Sequence, residues 1–231
     1  MSPGILAPAA RRAVPHEQGI ARSTTLSCGG FTFAERPEVP APDARIIWHA
    51  DLDPGTLRVI AVPTGVGDPD GIDPAQLAPW LTIATDPGGL EHAVLSNGWH
   101  HIRLDILAGS LLSGRPVVFH YRLNGQRYAE TRILPLRRFL HLCRYRRFAA
   151  SLFPPDTRVP RGIMLLRVRD ALDAQASQRE IARIVFGEER AERDWDHPSE
   201  SLRSRVRRLV ADARVMARGG YRLLMHGRSA R

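Results

Sequence analysis

Apolar and polar positions alternate along the first part of the chain and then change rhythm. Ile46, Ile47 and Trp48 precede an Asp53-Pro54-Gly55 turn, and Leu57, Val59, Ile60 and Val62 follow it, which predicts a hairpin. Gly65 to Pro74 reads as a loop. A second hairpin centres on Asn97-Gly98, where both residues tolerate positive φ, and Ile102, Leu104 and Ile106 then alternate with polar residues at period two. Val117 to Leu123, Asn124-Gly125 and Gln126 to Thr131 predict a third hairpin. Beyond Thr131 the apolar spacing becomes helical. Leu136, Leu140 and Cys143 predict a helix over about 132–150, ended by Phe153-Pro154-Pro155.

Three more helices are expected. The first spans about 162–174, with Leu165, Val168 and Leu172 as its apolar stripe. The second opens with Ser177-Gln178-Arg179-Glu180, an S-x-x-E capping box. Ile181, Ile184 and Val185 then face the core, and Gly187 supplies a left-handed stop. The third runs from about Ser199 to Gly219-Gly220. At about 100° per residue, Leu202, Val206, Leu209, Val210, Ala213, Met216 and Ala217 share one arc of it, and Arg203, Arg207, Arg214 and Arg218 share the next. The expected class is α+β: residues 1–30 mostly disordered, a small β-rich domain over 31–131, and a helical, helix-turn-helix-like domain over 132–231.

Charge sharpens this picture. The formal net charge of +9 comes from 33 basic residues, all arginine, and 24 acidic ones. Residues 1–130 hold 10 Arg against 13 Asp and Glu, whereas residues 131–231 hold 23 Arg against 11. All the positive excess therefore lies in the helical part, which points to a polyanion partner. The missing lysine is explained by codon bias in a GC-rich genome. Hydrophobic content of 43% is enough for a buried core. Two distant cysteines, Cys28 and Cys143, argue against disulfides or a zinc site and fit a reducing cytoplasm. No apolar run approaches the roughly 18 residues of a membrane span, and no apolar stretch follows Arg11-Arg12 to make a signal peptide.

Catalytic and metal chemistry find little support. His100-His101 would point to opposite faces of a strand and cannot chelate one ion together. Asp68 to Asp73 resembles a calcium loop only faintly and is explained by turn chemistry. No G-x-S-x-G, Gly-rich phosphate loop or Cys/His pair at ligand spacing is present, so no cofactor, metal or enzymatic activity is expected.

Short helix, capping box, short helix, gap and long arginine helix is a helix-turn-helix pattern, in which the last helix enters the major groove. The spacer Gly187 to Pro198 is longer than a compact turn, and Trp195 within it is expected to plug the core, with base stacking as the alternative. The segment from about 137 to 225 resembles the RovC-like DNA-binding domain, a transcription-factor family of type VI secretion genes. The likeness rests on Leu166 to Ala171 (LRVRDA), Ser177 to Ala182 (SQREIA), Phe186-Gly187, Asp194-Trp195, Leu202 to Val210 (LRSRVRRLV) and Gly219 to Arg222 (GGYR). Residues 31–130 also resemble the β-rich region that precedes this domain, although the Trp-rich opening helix of many relatives is absent.

The resemblance implies a DNA-binding transcription regulator that admits a ring-like homo-oligomer. Expected partners are double-stranded DNA, a second copy of the chain, and RNA polymerase or another regulator. The alternative is a protein-binding antiactivator that keeps the fold without specific DNA binding. The candidate nucleic-acid-binding set is Gln178, Arg179, Arg183, Arg203, Ser204, Arg205, Arg207, Arg208, Arg214 and Arg218. Two readings stay open for several of them. Gln178, Arg179 and Arg183 are phosphate ligands or plain surface, Arg208 contacts DNA or pairs with Asp212, and Arg205 lies across the apolar stripe from the others.

Overall fold

The computed structural model of the chain describes residues 11–12, 31–33, 38–40, 42–195 and 201–225. The chain divides into two compact units, residues 1–154 and 155–231. The class is α+β.

The first unit is built on a sheet of order β5-β6-β7-β4-β8: β4 Leu57–Pro63, β5 Leu81–Thr85, β6 Glu91–Ser96, β7 His101–Ala108 and β8 Val117–Tyr121. The Asn97-Gly98 hairpin joins β6 to β7 in antiparallel register, as expected. A short β1, Arg11–Arg12, adds in parallel beside β5, so these two residues of the expected disordered segment are in fact paired. The rest of residues 1–30 lies outside the described residues.

Two expected hairpins are corrected. The Asp53-Pro54-Gly55 turn exists, with the Gly55 amide donating to Asp53 Oδ1 at 3.0 Å, but it does not join neighbours. β3 (Ile47–Trp48) pairs with β2 (Phe31–Phe33), while β4 pairs in parallel with β7 and antiparallel with β8. Alternation identifies a strand but says nothing about which distant strand completes its hydrogen bonds. The other correction falls on Gln126 to Thr131, which is helical. Here α2 runs over Gln126–Tyr145, and Gly125, at φ 70°, is its N-cap and not part of a hairpin turn. A short helix, α1 (Pro74–Leu77), capped by Asp73, follows directly on the expected loop.

The change of rhythm near residue 131 is thus a change of secondary structure within the first unit. α2 lies on the sheet because Phe139 and Leu142 are fully buried in a core with Leu57, Val59, Leu81, Ile83, Leu95, Ile102, Leu104 and Ile106. The Phe139 ring stacks on Phe119 at 5.6 Å. The other sheet face is also covered, as Ile47 packs on Ala84 and Val94.

That second face buries charge. Arg103, 3% exposed, donates from Nη2 to Asp105 at 2.7 Å and from Nε to the Trp48 carbonyl at 3.1 Å. His92 Nδ1 lies 2.6 Å from the same Asp105 oxygen. Burial alone would push the Asp105 carboxyl up, but the His92 hydrogen bond and the Arg103 charge outweigh it and hold the group below its ordinary value.

The second unit is helical: α3 Val159–Asp173, α4 Gln178–Phe186, α5 Glu188–Trp195, α6 Ser201–Val215 and α7 Tyr221–Met225. The helix α5 was hidden in the expected spacer, because Glu188 to Trp195 offers only Ala191 and Trp195 to the core and shows no apolar stripe. Gly187, with φ 87° and ψ 155°, turns the chain directly from α4 into α5 instead of closing a left-handed cap. Ile184 is 51% exposed, against expectation, while Ile181 is fully buried. Leu165, Val168, Ala171, Ile181, Ala191, Leu202, Val206, Leu209, Val210 and Ala213 form this unit's own core.

Candidate nucleic-acid interface

The long basic helix α6 is positioned by its apolar residues. Leu202, Val206, Leu209, Val210 and Ala213 are all 6% exposed or less, so the opposite side of the helix faces out. Ala217, expected on the buried arc, is exposed, because the helix widens into a broader turn over Met216–Gly220 and is broken at Gly219, where φ is 107°.

The outward side carries Arg207, Arg208 and Arg214, with Arg218 following in the wider turn, and all four are exposed. Half-exposed Ser204 and exposed Ala211, both small, lie between them on the wheel. Asp212 is the one carboxylate in the α6 sequence. It is ion-paired with Arg161 of α3, so Arg208 does not pair with it. Among the described residues Arg208, Arg214 and Arg218 make no ion pair. These three guanidinium groups therefore face outward, and among the described residues none of them is neutralised by an ion pair.

Other members of the expected set separate from this edge. Arg203 is half-buried, donates from Nε to the Trp195 carbonyl at 2.7 Å, and holds its guanidinium 5.8 Å from the Trp195 ring. It fastens the end of α5 to α6. Trp195 itself packs against the core of the unit, as expected. Arg205 is exposed and lies over the Phe186 ring at 4.9 Å.

The start of α4 is less inviting to phosphate than its sequence suggests. Ser177 Oγ accepts from the Glu180 amide at 3.3 Å, and the Ser177 amide donates to Glu180 Oε2 at 2.7 Å, so both halves of the capping box are formed. Hydrogen bonds from Ser177 hold the Glu180 carboxyl below its ordinary value, so a negative charge already occupies the helix N-terminus. Arg183 sits 3.5 Å from Glu192 of α5. Gln178 and Arg179 are exposed at the first turn.

The hidden helix α5 matters here by contrast. It carries Glu188, Glu189, Glu192 and Asp194 against Arg190 and Arg193, so it is the acidic helix of the unit and α6 the basic one. Its charge pattern was legible in the sequence, but its helicity was not. Among the described residues no group of three or more His, Cys, Asp or Glu comes together to hold a metal ion, and no helix is long and apolar enough to cross a membrane.

Residues 122–226 match the family model of the RovC DNA-binding domain, described as a T6SS transcription factor, DNA binding domain. The matched segment takes in all of α2 as well as the second unit's helices. No curated protein matches the chain.

Proposed function

We propose, on the premise that this chain carries the DNA-binding domain of a RovC-type transcription factor across residues 122–226, that it regulates transcription by laying the outward arginine edge of α6 against duplex DNA. The observation that carries the reading is the exposure of Arg208, Arg214 and Arg218, none of them ion-paired among the described residues, while the single α6 carboxylate is committed to Arg161. Such an edge complements a line of phosphates, and arginine can also fork onto guanine in the major groove. The small Ser204 and Ala211 between the arginines let the helix backbone come close to the groove. α3 and α4 brace it in helix-turn-helix fashion, with acidic α5 turned to core packing and to Arg183. The protein acts in this reading in the cytoplasm, on chromosomal DNA, without cofactor or metal, as a homo-oligomer.

Titration of a labelled duplex across a salt series tests it. Affinity falls with rising salt, and R208A/R214A reduces the slope of log K against log salt by about 0.9 for each phosphate that is no longer neutralised. Removing an arginine that reads a base costs about 1–3 kcal/mol. R203A, by contrast, weakens α5–α6 packing and lowers stability first. Unaltered duplex binding by R208A/R214A overturns the assignment.

A further inference from the structure

We propose that the first unit carries a second duplex-binding surface, the outward side of α2 and the turn after it, where Arg137, Arg144 and Arg147 take DNA phosphates. The inference rests on the reading of the chain as a DNA-binding regulator.

Residues 131–154 contain six arginines and no aspartate or glutamate. Three of the six are held by hydrogen bonds, and a fourth, Arg144, lies 5.3 Å from the Tyr145 ring centre. Arg132 is 3% exposed and donates to the carbonyls of Thr56 and Tyr128, each at 2.9 Å. Arg138 donates to the Leu152 carbonyl at 2.8 Å and lies 4.2 Å from the Phe153 ring centre. Arg146, the left-handed C-cap of α2, reaches Gln76. The other three, Arg137, Arg144 and Arg147, are exposed and make no ion pair among the described residues.

Their placement follows from what α2 buries. Arg132, Phe139 and Leu142 face the sheet. Arg137 and Arg144, seven residues apart, fall within about 20° of each other on the opposite side and about 10 Å apart along the axis. His141 sits between them, its Nδ1 3.2 Å from the Arg147 carbonyl, which ties the turn carrying Arg147 to the helix.

The helix dipole favours cations in a last turn and accounts for Arg144. It does not account for Arg137, two turns upstream. A run of guanidinium groups without carboxylates is complementary to a polyanion. The matched DNA-binding family segment begins at residue 122 and so includes α2, although α2 folds with the sheet. Ile133 and Leu140, half-exposed on the flank of the same face, suit a protein partner instead, and that is the rival outcome.

The test compares two variants of the full chain on a mixed-sequence duplex across a salt series: R137Q/R144Q/R147Q and, on α6, R208Q/R214Q. The expected result is that the α2 triple variant reduces the salt slope by about 2–3, at about 0.9 per phosphate neutralised. The α6 variant should reduce it independently, and the lysine triple R137K/R144K/R147K should restore most of the slope removed by the α2 glutamines. Circular dichroism and thermal melting verify folding, and R137Q alone, with a slope change of about 1, serves if the triple variant is unstable. An unchanged slope for the α2 variants beside a reduced one for α6 overturns this inference and leaves the DNA reading standing. An unchanged slope for both variants overturns both. A change of sedimentation coefficient without a change of slope assigns the face to contacts between copies and also overturns the inference.

Discussion

Arg103 and Asp105 occupy the polar positions of β7, where period-two alternation places solvent, yet both are buried. Their mutual contact, together with Trp48, Ala93 and His92, gives each charge a partner. Buried pairs contribute little beyond an apolar replacement, but breaking one strands a charge. D105N should therefore cost about 3–5 kcal/mol in urea unfolding at neutral pH, and R103M/D105L should cost clearly less. Equal destabilisation of the two variants would show that the charges are not paired in solution. The Asp105 carboxyl is held below its ordinary value, so its contribution is present above the unfolded pKa and is lost as pH falls through the folded one. A similar distinction separates Arg203 from Arg214. Both are arginines on one helix, but one fastens Trp195 and the other faces out.

The elements differ in how locally they are specified. The capping box of α4 is formed as its four residues require, and S177A should cost about 1 kcal/mol. The Glu180 half of the box is pH-dependent. Because hydrogen bonds from Ser177 lower its pKa, the stabilisation is present above the unfolded value and disappears as pH falls through the folded value. The stability gap between the native chain and E180A should accordingly be constant near neutral pH and shrink as pH falls through the folded value. A gap that persists unchanged in acid would remove Glu180 from the cap. α2 behaves differently. Pro135 lies inside it, and Asn124-Gly125 has the composition of a hairpin turn, so local signals place its start too late. Phe139 and Leu142 against the sheet fix it instead, since most helical stability in proteins comes from packing an apolar face.

Each of the two units has its own core, one centred on Phe139 and the sheet, the other on α3, α4 and α6. Calorimetry should resolve two transitions, with F139A destabilising the first unit by about 3–5 kcal/mol and I181A lowering the transition of the other. A single transition shifted equally by both substitutions would show that the cores melt as one. Charge is distributed across the same division. Residues 155–231 hold 17 arginines against 11 acidic residues, and the acid-free stretch 131–154 belongs to the first unit.

Class, capping box, the Asn97-Gly98 hairpin and the apolar stripe of α6 from Leu202 to Ala213 were legible along the chain, because each depends on residues a few positions apart, where helical and strand periods act directly. Strand partners, the covering of Arg103 and Asp105, the diversion of Asp212 to Arg161 and of Arg203 to Trp195, and the placement of α2 on the sheet were not. These arise where distant segments meet, and a side chain's exposure and charge partner there depend on what packs over it, which no local pattern encodes.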